Sequence, residues 1–330
     1  MSKSIMAVKA NPKILKWARN KVGLSSSEAA RCINIKEAKL TAVEQGEEFL
    51  TVGQLRKLAE KYKRPLALFF SEKIPEDIQI PDFRVRKTTL DAKIEGKINI
   101  IIREMLELKK NAEILYEELN LSYDYSFIGQ YSTFEHASEK QVAEFIIKKL
   151  NLNHNDLRGQ QDSEVLNHWK SLIEKLGILV FQFQEIPPEY LRGFVFGKTP
   201  FPLIAINQKD SYYARVFTLI HELCHILIGT DTICDVNLES EQQVDEKGIE
   251  VFCNRVVENV LFPDTLLNNE QTKQIIENSL NDIDIVKNIS QKYKISESVA
   301  LYKLYHESKI TYPSFSEIIQ SFSTRSFQTK

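Results

Sequence analysis

The chain has 330 residues, 43% of them hydrophobic and 27% charged, with a formal net charge of −2. That is the make-up of an ordinary folded protein with room for two or three domains, each able to bury its own core. No run approaches the ~18 apolar residues of a membrane span, and the opening Met1-Ser2-Lys3-Ser4-Ile5-Met6 lacks the apolar centre of a signal peptide, so a cytoplasmic protein without a membrane partner is expected.

Charge is unevenly placed. Residues 1–70 carry 14 Lys and Arg against 6 Asp and Glu, so an acidic remainder follows a basic head, and such a head suits a polyanion. Asn11 followed by Pro12 predicts a first helix through Ile14, Leu15, Trp17 and Ala18 that stops near Gly23. Ser25 and Glu28 form a capping box for a short second helix to about Cys32. Ile33-Asn34-Ile35 is the tight turn, where Asn34 tolerates the left-handed conformation. A third helix spans about Glu37 to Gln45 and ends at Gly46, and Thr51 with Gln54 caps a fourth through Leu55, Leu58 and Tyr62.

Short helices with a tight turn between the second and third make a helix-turn-helix domain. Leu24, Ser25-Ser26-Ser27-Glu28-Ala29-Ala30, Leu40-Thr41-Ala42-Val43-Glu44-Gln45-Gly46 and Thr51-Val52-Gly53-Gln54-Leu55 together resemble the lambda-repressor-like, or XRE, helix-turn-helix family over residues 10–70. The resemblance implies double-stranded operator DNA as a partner, with Ser26, Ser27, Lys36, Glu37, Lys39 and Thr41 as the contact set and a homodimer as the default assembly. Lys36 at the usual Ser/Thr cap and Glu37 in the first turn depart from the family pattern.

A proline-marked connection from Pro65 through Pro81-Asp82-Phe83-Arg84 leads to apolar residues at Ile94, Ile98, Ile101, Met105, Leu108, Ala112, Leu115 and Leu119. The alternating spacing of four and three predicts one helix about 30 residues, or about 45 Å, long. Ile102 and Leu106 widen its stripe, which favours packing on the following domain over a coiled-coil dimer seam. Residues 138–150 and 162–176 read as helices, and strands follow at 178–183, 192–197 and 202–207.

The run Val216 to Ile228, closed by Gly229, predicts a buried helix carrying His221-Glu222-Leu223-Cys224-His225. Residues four apart share a helix face, so His221 and His225 can put two imidazole nitrogens on one Zn²⁺ ion, with Glu222 beside them as the general base. A third ligand is needed; Glu250 and, one turn earlier, Glu246 are both candidates by position. Cys32, Cys224, Cys234 and Cys253 form no CxxC pair, which suits a reducing compartment, and Cys224 and Cys253 read as small buried hydrophobes and not as ligands.

Trp169, Glu174-Lys175-Leu176-Gly177-Ile178, Arg192-Gly193-Phe194, Ile206-Asn207, Phe217-Thr218-Leu219-Ile220-His221-Glu222 and the tract from Glu250 to Pro263 resemble the ImmA/IrrE family of metallopeptidases. That resemblance implies a zinc endopeptidase with Glu250 as third ligand, whose protein substrate is a repressor-like regulator in a stress, mobile-element or defence response. Tyr212, Tyr213 and His168 are candidates for stabilising the oxyanion. A competing reading keeps the head as a repressor, for instance of a toxin–antitoxin or defence cassette, and makes the peptidase fold only sensory or structural.

The expected fold is therefore mainly α with a small β-sheet. A helix-turn-helix domain (1–72) leads through a linker and long amphipathic helix (73–120) to an α+β, zincin-like metallopeptidase domain (121–263) and a C-terminal helical region (264–330). In that last region residues 289–310 read as a helical hairpin turning at Ile295-Ser296, and Ser321 to Ser326 as a frayed tail.

Overall fold

The computed structural model describes residues 7–75, 91–132, 136–197, 201–229, 232–234 and 244–328; Asp82-Phe83-Arg84 and the side chain of Glu246 lie outside the described residues. Among the described residues the architecture is mainly helical, with one two-stranded and one four-stranded sheet. Packing divides the chain into two units, Met1–Ile114 with Glu185–Leu191, and Leu115–Gln184 with Arg192–Lys330.

In the first unit, β1 (Ala7–Val8) pairs antiparallel with β2 (Leu50–Thr51), a contact that two residues of sequence are too few to announce. Helix α1 (Pro12–Lys21) starts where the Asn11 side chain accepts the Lys13 N–H. Helix α2 (Ser26–Cys32) begins in the Ser25/Glu28 capping box, and Asn34 in the following turn has φ 55°. Helix α3 (Glu37–Gln45) ends on the left-handed Gly46, and α4 (Val52–Lys61) starts in the Thr51/Gln54 capping box. Ile14, Leu15, Leu40, Leu55, Leu58 and Phe69 close a core of their own.

Helix α5 (Ala92–Glu118) meets this head at close range. A Cβ on Gly96 would stand 2.3 Å from the Val22 carbonyl, and Arg103 Nη2 donates to the Lys63 carbonyl at 2.7 Å. Ile98, Ile101, Ile102 and Met105 are buried, while Leu108, Leu115 and Leu119 of the same stripe are 45%, 56% and 66% exposed. The first half of the helix thus makes contacts with the head.

The second unit opens with α6 (Glu139–Lys149), capped by Ser138 and Gln141, and α7 (Asp162–Glu174). Strands β3 (Leu179–Phe183), β4 (Gly193–Phe196), β5 (Leu203–Asn207) and β6 (Thr232–Cys234) form one sheet in the order β3-β5-β4-β6. Only β3 and β5 run parallel; β4 is antiparallel to both of its neighbours. Every residue of β4 and β5 is buried, which is why they read as unbroken apolar runs.

Helix α8 (Tyr212–Ile228) lies across β4 and β5 between α7 and α9 (Val244–Leu261). Helices α10 (Asp264–Leu267), α11 (Glu270–Asn278), α12 (Asp282–Tyr293), α13 (Glu297–His306) and α14 (Tyr312–Gln328) complete the unit. Ser321 to Ser326 is therefore helical and not a frayed tail: Phe315, Ile318, Ile319 and Phe322 recur at helical spacing and pack on the core. Among the described residues, no helix is long and apolar enough to cross a membrane.

Candidate metal centre

Helix α8 is held at both ends. The Ser211 side chain accepts the Ala214 N–H, and Gly229 at φ 80° turns its own N–H onto the His225 and Ile226 carbonyls. Between these caps lies an almost wholly buried helix in which His221, Glu222 and His225 are each 0% exposed. Polar groups so deeply buried are costly unless they meet partners.

The two imidazoles meet each other. His221 Nε2 and His225 Nε2 are 3.1 Å apart, with the rings at 61°. Glu250, on α9, puts Oε2 3.1 Å from His221 Nε2 and Oε1 3.4 Å from His225 Nε2. One ligand atom from each of the three residues lies within 4.8 Å of the others. Donors bound tetrahedrally at about 2.0–2.1 Å stand about 3.3 Å from one another, so these separations fit a divalent ion at the centre of the group. Two imidazoles and a carboxylate are also the donor types such an ion takes, and three protein ligands leave one position open.

The electrostatics are those of a cluster short of positive charge. Burial pulls His221 down, but its hydrogen bond to Glu250 and the charges of Glu250 and Glu222 outweigh it, and the imidazole is raised to about 9. His225 is lowered, by burial and then by its protonated neighbour, in spite of its own bond to Glu250. Glu250 is held far below the usual carboxylate range, because its bonds and charge pairing with the two histidines exceed the burial that would raise it.

Glu222 faces the sheet. A Cβ placed on Gly193 of β4 would lie 3.3 Å from Glu222 Oε1 and 2.5 Å from Thr218 Cγ2, so the absence of a side chain at Gly193 lets the strand pass this face of α8. Gly193 also pairs with Cys234 of the edge strand β6. The sequence carried a signal for this contact, a glycine inside an apolar strand, but nothing in it said what the glycine would approach.

Tyr212, Tyr213 and His168 are not part of the donor group. The Tyr213 hydroxyl donates to Asp162 at 2.6 Å, which together with burial raises its pKa, and Tyr212 lies against the Arg215 guanidinium, 4.4 Å from the ring centroid. His168 is half-buried on α7. Cys224 and Cys253 are buried and part of the apolar core, and neither belongs to the donor group.

Residues 173–305 match the IrrE N-terminal-like domain, Peptidase_M78. The matched stretch begins in α7, ends in α13 and contains the whole donor group. The IrrE-like match is to a metallopeptidase family, and His221, His225 and Glu250 could hold its metal ion. It does not reach the head. No curated protein matches the chain.

On the head, Lys36, Glu37 and Thr41 are exposed on α3, and Lys39 is half-exposed with its ammonium 3.7 Å from Glu48. Lys36 caps the helix by backbone alone, and the Thr41 hydroxyl is turned back onto the Glu37 carbonyl at 3.1 Å. Ser26 and Ser27 stand half-exposed in the first turn of α2.

Proposed function

We propose that this chain is a DNA-binding transcriptional regulator carrying a zinc-dependent endopeptidase that cleaves a repressor-like regulatory protein. The observation that carries the catalytic part is the convergence of His221, His225 and Glu250 on one point, with Glu222 adjacent on α8. Zinc is the ion that two imidazoles and one carboxylate with an open position suit best, and when bound it supplies Lewis-acid chemistry, acidifying water and polarising a carbonyl.

Glu222 takes the proton from the attacking water and returns it to the leaving amine. It is suited to that because it follows His221 directly in the helix, so its carboxylate stands beside the donor group on a neighbouring face. Substrate docks in extended form along the sheet edge at β6, whose Cys234 pairs with the glycine that approaches Glu222.

The head supplies the address. Helix α3 presents Lys36, Glu37, Lys39 and Thr41 to the major groove, and Ser26 and Ser27 on α2 contact the backbone. The proposed assembly is a homodimer on paired half-sites, for which the exposed Leu108 and Leu115 of α5, with Leu119 just beyond it, offer an apolar stripe.

Metal content tests the reading first. Mass spectrometry of protein purified without added zinc is expected to find about one zinc per chain, sharply reduced in Glu250→Gln. A wild-type chain that takes up no zinc on reconstitution sinks the peptidase. For the head, affinity for promoter DNA that is insensitive to salt would exclude phosphate recognition.

A further inference from the structure

A cavity of ≈ 520 Å³ opens on the second unit and uses none of the metal-centre residues. It is lined by Arg255 of α9, by Tyr305, His306 and Lys309 at the end of α13, and by Thr311 and Tyr312 where α14 begins. Among the described residues, no acidic side chain lines it. Among the described residues, neither the Arg255 guanidinium nor the Lys309 ammonium has a carboxylate partner.

Of the three basic groups, His306 has a partner that places it. Glu258, one turn after Arg255 on the same face of α9, is buried and sits 2.7 Å from His306 Nδ1. A carboxylate only accepts, so Nδ1 carries a hydrogen and the imidazole is held by that edge; in its protonated form Nε2 carries a hydrogen too and can donate to an anion. Two carbonyls in the last turn of α13, which would repel an anion, are occupied: Leu304 accepts from the Lys309 N–H at 2.8 Å and Tyr305 from the Ser308 N–H at 3.0 Å. The 17-residue helix α14 meanwhile starts at the cavity and adds the positive end of its dipole.

The remaining wall is aromatic. Tyr305 is stacked on Phe315 at 4.4 Å and 25°, and Tyr312 stands 66% exposed at the rim, 6.3 Å from Tyr305 between centroids. Two cations and an oriented imidazole beside two tyrosines match a ligand with a phosphate at one end and a flat ring at the other.

From this arrangement we infer that the cavity binds a small phosphate-bearing aromatic ligand, of the nucleoside monophosphate class, with the phosphate on Arg255, His306 and Lys309 and the base against Tyr305 and Tyr312. Arg255 lies five residues after Glu250 on α9, so the site shares a helix with the metal centre without sharing a residue.

Titration calorimetry of the full chain with AMP, GMP, CMP and UMP, alongside inorganic phosphate and the free nucleosides, tests this. At least one monophosphate is expected to bind one per chain, about tenfold or more tighter than either fragment. Arg255→Gln and Lys309→Gln are each expected to weaken it by about tenfold with an unchanged melting temperature; Lys309 is exposed, so its variant carries little risk of misfolding. Three results overturn the inference: no monophosphate binding at millimolar concentration, binding unchanged in Lys309→Gln, or inorganic phosphate binding as tightly as any nucleotide. A single-stranded oligonucleotide that binds more tightly than every monophosphate overturns it too, in favour of a nucleic-acid contact.

Discussion

His221 and His225 hold their Nε2 atoms 3.1 Å apart at the centre of a buried helix, and Glu250 is the carboxylate that makes this tolerable. Without an ion the group needs a proton, and with one it must give that proton up. Much of the centre's expected behaviour in solution follows from that exchange.

The first prediction concerns pH. Because His221 is raised to about 9 when no ion is present, metal binding between about pH 6.5 and 9 has to expel a proton. Affinity is expected to climb with pH by up to about tenfold per unit and to level off above about 9. Calorimetry in two buffers of different ionisation enthalpy counts the proton; an affinity flat across that range would contradict the reading. The ion-free protein should behave in the opposite sense. A folded-state pKa above the free imidazole's gives stability that is complete below about 6.5 and is lost as the pH rises through about 9. Glu250, depressed, contributes stability that is complete above about 4.5 and is lost as the pH falls. The chelator-treated chain should therefore lose melting temperature from pH 6.5 to 9, and zinc should remove that slope.

Glu222→Gln separates catalysis from metal binding. Glutamine keeps the size and loses the base, so zinc content should match wild type while cleavage falls by about 10²–10⁴-fold. Cleavage at wild-type rate would give the proton transfer to another group. A regulatory phenotype that survives in the variant would instead favour the sensory reading of the domain.

Gly193→Ala should be felt at Glu222. The added methyl would stand 2.5 Å from Thr218 Cγ2 and 2.9 Å from the Ala205 carbonyl oxygen, so strand or helix must shift, at about 1–3 kcal/mol. Thermal melts should show the loss, and Thr218→Ser, which removes the clashing methyl, should recover part of it. If Gly193→Ala melts like wild type, β4 and α8 are not in the contact described.

In the head, Arg19 and Glu44 form a two-pronged bridge, Nε to Oε1 at 2.7 Å and Nη2 to Oε2 at 2.8 Å, with both side chains nearly buried. Glu44→Ala leaves the guanidinium with the Leu24 carbonyl as its acceptor at 2.8 Å and is expected to destabilise the head by about 3–5 kcal/mol. Replacing both partners, Arg19→Met with Glu44→Leu, should restore most of it. Denaturation followed at Trp17, which packs against the head's core, reads the effect.

What the sequence determined by itself was local. The caps of α1, α2, α4 and α6, the left-handed stops at Asn34, Gly46 and Gly229, and the placing of His221 and His225 on one helix face all depend on residues within four positions of one another. Strands β3, β4 and β5 were legible because their runs are largely apolar, those of β4 and β5 being buried at every residue. Long-range choices were not legible. Position alone left Glu250 and Glu246 both open, and only the packing of α9 on α8 brings the Glu250 carboxylate to the imidazoles. The stripe along α5 was visible from end to end, yet periodicity cannot say what covers it: Gly96 and Arg103 bind its first half to the head, and Leu115 and Leu119 remain exposed. In the same way Gly193 stood in the sequence as a glycine in a strand. Tertiary structure alone set the Glu222 carboxylate beside it, because such a contact depends on how a strand and a helix separated by other elements come to lie in space.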